Sequence, residues 1–366
     1  MKPKLAIIGV KGYPGYGGSA RANSQLVKRL KNKYNITIYA VSSHADENND
    51  DSIKQIVFRR YSSMKLTMVL YYIKSLFHCL FFGKYDLVHA YHNISGFLIP
   101  WLRLRYPVLF NIRALEFDQE KKWSVIERAI INSSMIIALK FSSIIATVDR
   151  SSIEVAERYT DKEIVYIPNG VENYLTLLDL KAKKKPEYDI TFSANRIIYM
   201  KGLHLLFEAV KNSEKEYHIQ VIGNLNHIES YKKDLLEASS QLNCDFKGLI
   251  VDQKTLFESI INSKLFVFPS YLEGMSNQLL EVASLNIPII ASDIPQNTAV
   301  FDSSEVLYFK SGNSIDLLDK IEFALQNYEI MQKKSTSAFK KVNEFHNWDD
   351  ISSEYESLYS AMLGKI

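Results

Sequence analysis

The chain has 366 residues, of which 47% are apolar and 23% charged; that length exceeds what one core commonly serves, so two globular domains are expected and a disordered chain is excluded. The net charge of +3, with no nucleic-acid-binding motif beside it, excludes DNA and RNA as expected partners. Cys79 and Cys244 lie far apart and fit reduced thiols rather than a disulfide framework, and no Cys/His cluster points to a metal. The apolar run Leu5 to Val10 is too short for a signal peptide, and no uncharged run has the length of a membrane span, so the expected location is the cytoplasm, including the inner face of the cell membrane.

Strand and helix patterns alternate from the first residues. LAIIGV (5–10) precedes a helix at about 19–32, then come ITIYAV (36–41), IVFRR (56–60), a helix near 64–82, DLVHAY (86–91) and VLFNI (108–112). A helix near 121–140, SIIATV (143–148), a helix near 150–159 and EIVYIPNGVE (163–172) complete a first unit. Residues 172–187 are polar and lysine-rich, end in KAKKKPE and contain Pro186, the marks of a linker. A second alternation runs DITFSA (189–194), a helix over GLHLLFEAVKN (202–212), HIQVIG (218–223), a helix near 228–241, CDFKG (244–248), a helix near 252–262, LFVFPS (265–270), a helix carrying Glu281, and PIIAS (288–292). The expected fold class is α/β: two Rossmann-like domains, 1–171 and 172–345, with parallel sheets facing a central cleft, and a final helical stretch within 346–366 crossing back to the first domain.

Three places along this pattern can carry chemistry. At the first strand end, GYPGYGGSAR packs Gly12, Gly15, Gly17 and Gly18 into a turn before a helix, where backbone N–H groups can meet a phosphate. A dinucleotide reading of Gly15-x-Gly17-x-x-Ala20 lacks its acidic residue, since Ala40-Val41-Ser42-Ser43 stands at the second strand end; a purely structural glycine turn is the other reading. In the second unit Arg196 ends a strand and Lys201 precedes Gly202 at a helix start, so both cations can offset charge on a leaving diphosphate. Either cation alone would read as a solvated loop charge. The run FVFPSYLEGMSNQLLEVASLNIPIIASD then sets Glu273 and Glu281 eight positions apart across a strand end, a turn and a helix start. Eight residues of helical rise span about 12 Å, the reach of a sugar nucleotide, and the helix N-terminus between them favours an anion.

SANRIIYMKGLHLLFEAV and FPSYLEGMSNQLLEVASLNIPIIASD resemble the donor half of the family-4 retaining glycosyltransferases of the GT-B fold, with IPNGVE and HIQVIG as smaller signposts. KGYPGYGGSARANSQLVKRL and ALEFDQEKKWSVIERAI resemble the bacterial rhamnosyltransferase-like subgroup. The resemblance implies that Glu273 touches the transferred sugar, Glu281 binds ribose hydroxyls, and Arg196 with Lys201 clamps the diphosphate. Backbone of Met275, Ser276 and Asn277, with Gly17 and Gly18, completes the cradle. Many relatives place a His near the reacting carbon, where this chain reads Asn111-Ile112-Arg113-Ala114-Leu115-Glu116. Arg113 cannot act as a base but can donate to a sugar hydroxyl or an acceptor phosphate, and Glu116 is the nearest carboxylate able to orient or deprotonate an acceptor; a structural pairing of loop and helix is the alternative. His89, with His92 at the same strand end, is expected to line the pocket or to pack.

The expected reaction is a metal-independent, cofactor-free, retaining transfer of a hexose or deoxyhexose from a nucleotide diphosphate sugar to a glycan or polyprenyl-linked acceptor in bacterial surface polysaccharide synthesis. The rival readings are a GT-B epimerase or phosphorylase, and a non-catalytic sugar-nucleotide or glycan-binding partner of another transferase. From Ile53 to Tyr85 the chain has Lys54, Arg59, Arg60, Lys65, Lys74 and Lys84 and no Asp or Glu; Trp101, Arg103, Arg105 and Tyr106 add a second basic-aromatic patch, so peripheral contact with an anionic membrane is expected of these edges. The stripe Leu66, Val69, Leu70, Ile73, Phe77, Leu80 and Phe81 has helical spacing and is expected to cover the sheet.

Overall fold

A computed structural model of the protein describes residues 1–15, 18–45, 52–113, 124–172, 186–275 and 277–364. The chain forms two compact units, Met1–Asn169 with Trp348–Ile366, and Gly170–Asn347. In the first, β1 (Lys4–Ile8), α1 (Gly18–Leu30), β2 (Asn35–Val41), β3 (Ile53–Phe58), α2 (Met64–Phe81) and β4 (Leu87–Tyr91) are followed by a 3-10 turn, Asn93–Leu98, and the short α3 (Ile99–Leu102). Then come β5 (Val108–Ile112), α4 (Val125–Phe141), β6 (Ile144–Thr147), α5 (Ser151–Glu157) and β7 (Ile164–Tyr166). The strands pair in parallel in the order β3-β2-β1-β4-β5-β6-β7. Ala6 and Ile8 of β1 face a core shared with Tyr71, Leu102 and Met135, while Leu5 and Ile7 face a second core with Leu26 and Leu30 of α1. Burial on both faces is why these strands read as unbroken apolar runs rather than alternating ones.

The second unit repeats the theme with β8 (Tyr188–Arg196), α6 (Leu203–Lys211), β9 (Ile219–Asn224), α7 (Glu229–Ala238), β10 (Cys244–Gly248), α8 (Gln253–Ile261), β11 (Ser263–Phe268), α9 (Asn277–Ser284) and β12 (Ile289–Ser292). It ends in α10 (Pro295–Thr298), β13 (Leu307–Phe309), α11 (Ser314–Gln326) and α12 (Tyr328–Phe345). Its strands are parallel in the order β10-β9-β8-β11-β12-β13. The last helix, α13 (Trp348–Leu363), belongs to the first unit: Trp348, Ile351, Tyr355, Tyr359 and Met362 complete the core that α1 covers. Arg29 with Asp349 at 2.5 Å and Lys33 with Glu356 at 2.6 Å flank this contact, but exposed pairs of this kind contribute about 0–1 kcal/mol, so apolar packing carries the attachment.

Two parallel α/β units are the architecture expected from the alternation. One expectation is reversed. The apolar stripe of α2 does not cover the sheet: Leu66, Val69, Ile73, Phe77 and Phe81 are exposed, whereas Thr67, Tyr71, Tyr72, Ser75 and Cys79 are buried. The reason lies in hydroxyl chemistry. Tyr71 Oη donates to the Tyr39 carbonyl at 3.0 Å and accepts from Gly9 N at 2.8 Å, which satisfies that inward hydroxyl and holds its side of the helix against the sheet; Thr67 Oγ1 donates to the Ser63 carbonyl one turn back at 2.8 Å. The lysine-rich stretch 173–185 lies outside the described residues. Among the described residues no helix is long and apolar enough to cross a membrane.

Candidate functional site

The site begins where β8 and β9 end. Their pairing slips between Ala194 and Arg196, and Gly223, at φ 148°, lies so close that a Cβ there would stand 1.9 Å from the Ala194 carbonyl oxygen. Beyond the slip Arg196 is exposed and Ile197 is buried, so the chain is anchored one residue past its cation. A 3-10 turn, Tyr199–Lys201, follows, closed by Gly202 at φ 73°. A Cβ on Gly202 would lie 2.0 Å from the Pro269 carbonyl oxygen, so only glycine allows the turn after β8 to approach the loop after β11. Tyr271 N donates to the Met200 carbonyl at 2.9 Å and seals that approach.

The consequence is an ion pair. Lys201 Nζ donates to Glu273 Oε1 at 2.5 Å, with side chains 28% and 10% exposed. The resemblance gives these two residues separate tasks, Glu273 on the transferred sugar and Lys201 on the diphosphate; the structure brings them into contact. A lysine ammonium has three donors, so the pair still leaves Nζ able to donate to an incoming anion. Glu281 is buried in α9, and Met275, just before that helix, is also buried. Asn277 opens α9, and Ser276 lies outside the described residues.

Around the pair stands an aromatic stack that the sequence reading missed. Tyr199 lies over His204 with centroids 4.3 Å apart and 19° between planes, and Tyr271 is parallel to both within 10°. His204 Nδ1 meets Tyr231 Oη at 2.7 Å and its Nε2 meets Tyr271 Oη at 3.1 Å. Burial lowers the His204 pKa and pushes the Tyr271 hydroxyl up to about 12, so both rings are neutral near pH 7. The available signal was adjacency: Tyr199 is two residues from Lys201, and Tyr271 two from Glu273. Behind the loop, Ser292 Oγ donates to the Ser270 carbonyl at 2.5 Å and Asn297 Nδ2 to the Ser292 carbonyl at 2.9 Å, holding it to the end of β12.

In the first unit the glycine turn is explained largely by its own packing. Gly9 has φ 101° with the Tyr91 carbonyl where a Cβ would be, and Gly12 faces the His44 carbonyl in the same way. Gly15 N donates to Ser24 Oγ at 2.7 Å and Tyr13 N to Gln55 Oε1 at 3.1 Å, so those two N–H groups already have acceptors. Gly18 opens α1, and Gly17 and Glu116 lie outside the described residues.

His89 is not where a ligand contact requires it. It is 0% exposed, its Nδ1 meets Tyr359 Oη of α13 at 2.7 Å, and Tyr91 stacks on it at 4.0 Å. Burial first, and the Arg113 charge second, hold its pKa well below the ordinary histidine range. Of the two expectations for His89, packing replaces pocket lining, because the returning helix closes over β4. Arg113 donates to Asn169 Oδ1 at 2.7 Å, with its guanidinium 5.0 Å from the Tyr91 ring centroid; it is half-buried and joins the end of β5 to the strand-exit loop after β7. Among the described residues no three His, Cys, Asp or Glu side chains stand together as a metal-binding group.

Comparison with known proteins adds to this geometry. Residues 16–173 match the family model described as Glycosyltransferase Family 4, and residues 178–341 the model described as Glycosyl transferases group 1. The O-antigen biosynthesis glycosyltransferase WclY of Escherichia coli is 24% identical over 360 residues, 93% of this chain and 94% of that protein. An N,N'-diacetylbacillosaminyl-diphospho-undecaprenol alpha-1,3-N-acetylgalactosaminyltransferase of Campylobacter jejuni is 22% identical over 294 residues, 75% of this chain and 76% of its own. Among solved structures, sucrose-phosphate synthase of Thermosynechococcus elongatus has a TM-score of 0.82 at 16% identity, covering 100% of both chains. Anabaena HepE in complex with UDP and glucose has a TM-score of 0.79 at 15% identity, covering 98% of this chain and 100% of that one. These structural likenesses establish the GT-B fold.

Proposed function

Since the chain belongs to the glycosyltransferases, as a family 4 domain followed by a group 1 domain, we propose that it transfers a hexose or deoxyhexose from a nucleotide diphosphate sugar to a glycan or polyprenyl-linked acceptor in bacterial surface polysaccharide synthesis. The names of the E. coli and C. jejuni relatives, one acting in O-antigen biosynthesis and the other on a diphospho-undecaprenol-linked sugar, support that acceptor class. The observation that carries the reading is the Lys201–Glu273 pair, held at the carboxyl ends of β8 and β11 by two interlocked turns, where open parallel sheets bind ligands.

In this reading the diphosphate takes donors from Lys201 and Arg196, and Glu273, relieved of part of its pairing, accepts from a hydroxyl of the sugar. Glu281 accepts from the ribose, and the start of α9 faces the diphosphate. The bond from the anomeric carbon to the diphosphate oxygen breaks while the acceptor oxygen bonds on the same face, and the acceptor proton passes to the departing diphosphate. Configuration is thereby retained without an enzyme nucleophile and without a metal. Positioned cations lower the barrier because negative charge grows on the leaving group.

The test is release of nucleoside diphosphate from a panel of UDP-, GDP- and dTDP-sugars with and without polyprenyl diphosphate-linked saccharides. Acceptor-dependent release from one donor, with an α-anomeric product from an α-donor by NMR and full activity after exhaustive chelation, is the expected result. Donor binding without turnover on any acceptor overturns the reading in favour of a non-catalytic binder, and activity restored only by a divalent cation overturns metal independence.

A further inference from the structure

Helix α2 is inverted with respect to its own hydrophobicity. Leu66, Val69, Ile73, Phe77 and Phe81 are 48%, 55%, 59%, 56% and 67% exposed and fall within an arc of about 120° on the helix surface. The opposite side, with Tyr71, Ser75 and Cys79, is locked inward by the hydrogen bonds of Tyr71. The apolar ridge continues at both ends. Phe77 packs at 4.7 Å on Phe81 and at 6.0 Å on Phe82, itself 68% exposed. Arg105 donates to the Leu80 carbonyl and holds the segment carrying Trp101 and Leu104, 56% and 79% exposed, against the helix end. At the other end Lys65 pairs with Glu127 at 2.8 Å, which brings Val125 and Ile126 of α4, each 73% exposed, beside the start of α2. Patches of this extent on a folded protein mark an interaction surface.

The charge around the ridge selects its occupant. The stretch Ile53 to Tyr85 holds six cations and no acid, and Arg103 and Arg105 extend the set. Two neighbouring acids among the described residues are already engaged: the Asp86 carboxylate accepts from Lys4 N at 2.7 Å, and Glu127 is held by Lys65, which lowers its pKa to about 2. A second copy of this chain would set cations against cations. A lamella of anionic headgroups over acyl chains complements both features, taking apolar side chains at the headgroup boundary and lysine and arginine at the phosphates.

We propose that the outer face of α2, with Trp101 and Leu104, docks in the plane of an anionic phospholipid bilayer. The inference stands apart from the transfer reading, since its readout is lipid binding alone. The test is co-sedimentation of the full chain with vesicles of phosphatidylcholine alone or with one-third phosphatidylglycerol, at low and high salt. The protein is expected to pellet with the anionic vesicles at low salt and to be released by neutral composition or by salt. Ile73→Asp with Phe77→Asp is expected to weaken this binding about tenfold or more while leaving thermal unfolding and nucleotide-sugar binding unchanged; Lys84→Glu, which removes no apolar contact, is expected to weaken it by a smaller factor. The proposal is overturned if the parent stays in the supernatant with every vesicle, if the aspartate variant pellets as the parent does, or if that variant instead abolishes a concentration-dependent dimer seen by light scattering without vesicle binding.

Discussion

Lys201 reaches Glu273 because Gly202 has no side chain. A methyl group there would meet the Pro269 carbonyl oxygen at 2.0 Å on a backbone already at φ 73°; Gly202→Ala is therefore expected to cost about 2 kcal/mol or more, seen as a lower unfolding midpoint together with weaker donor binding. Both members of the pair were legible in the sequence, since each sits in a short motif at a strand end. Their contact was not, because it joins positions 72 apart through a backbone bond from Tyr271 to Met200 that no local pattern announces. His89 was illegible for a related reason: the tyrosine that encloses it comes from 270 residues away. Its depressed pKa gives a pH dependence of definite sign. The unfolded chain takes up a proton below about pH 6.5 while the folded chain does not, so stability is full above that pH and falls as pH drops toward the folded-state value. The imidazolium would carry an N–H at Nε2, which has no hydrogen-bond partner among the described residues. Urea unfolding is expected to lose on the order of 1 kcal/mol from this group as the pH falls from about 7.5 to about 5.5, and His89→Asn is expected to flatten that slope.

At the scale of elements, the sequence pattern of α2 misleads, whereas that of α13 already announces a helix returning to the first unit. The ridge on α2 has the spacing of a core-facing stripe, yet Thr67, Tyr71, Tyr72, Ser75 and Cys79 take the inner side, where Tyr71 bonds to Tyr39 and Gly9. Periodicity reports that a face is apolar; it does not report which way the face points. In α13 the tyrosines are the load that fixes it to the first unit: Tyr355 Oη accepts from Asn111 Nδ2 at 2.5 Å, and Tyr359 Oη meets His89. Tyr359→Phe is expected to cost about 1–2 kcal/mol by leaving a buried partner unmatched, measured by chemical unfolding, with donor affinity unchanged. The start of α4 is set by a capping box in which Ser124 and Glu127 exchange hydrogen bonds; Ser124→Ala is expected to cost about 1 kcal/mol.

For the whole molecule, alternation of strand and helix disclosed both parallel sheets, because buried central strands are continuous apolar runs that few other folds produce. The stretch after β12 was left unread: β13 has only three residues, Leu307–Phe309, and α11 and α12 are amphipathic but polar in composition. The 3-10 turn and α3 after β4 escaped for want of length. What the molecule is proposed to do rests on the second unit gripping an activated sugar through Lys201 and Glu273. The most direct measurement is a calorimetric titration of the productive nucleotide sugar into the parent, Lys201→Ala, Glu273→Ala and the double variant. Each single change is expected to weaken binding about tenfold, with the double weaker by less than the product of the two, as coupled groups on one ligand require. Parent-like affinity in all three variants would contradict the account.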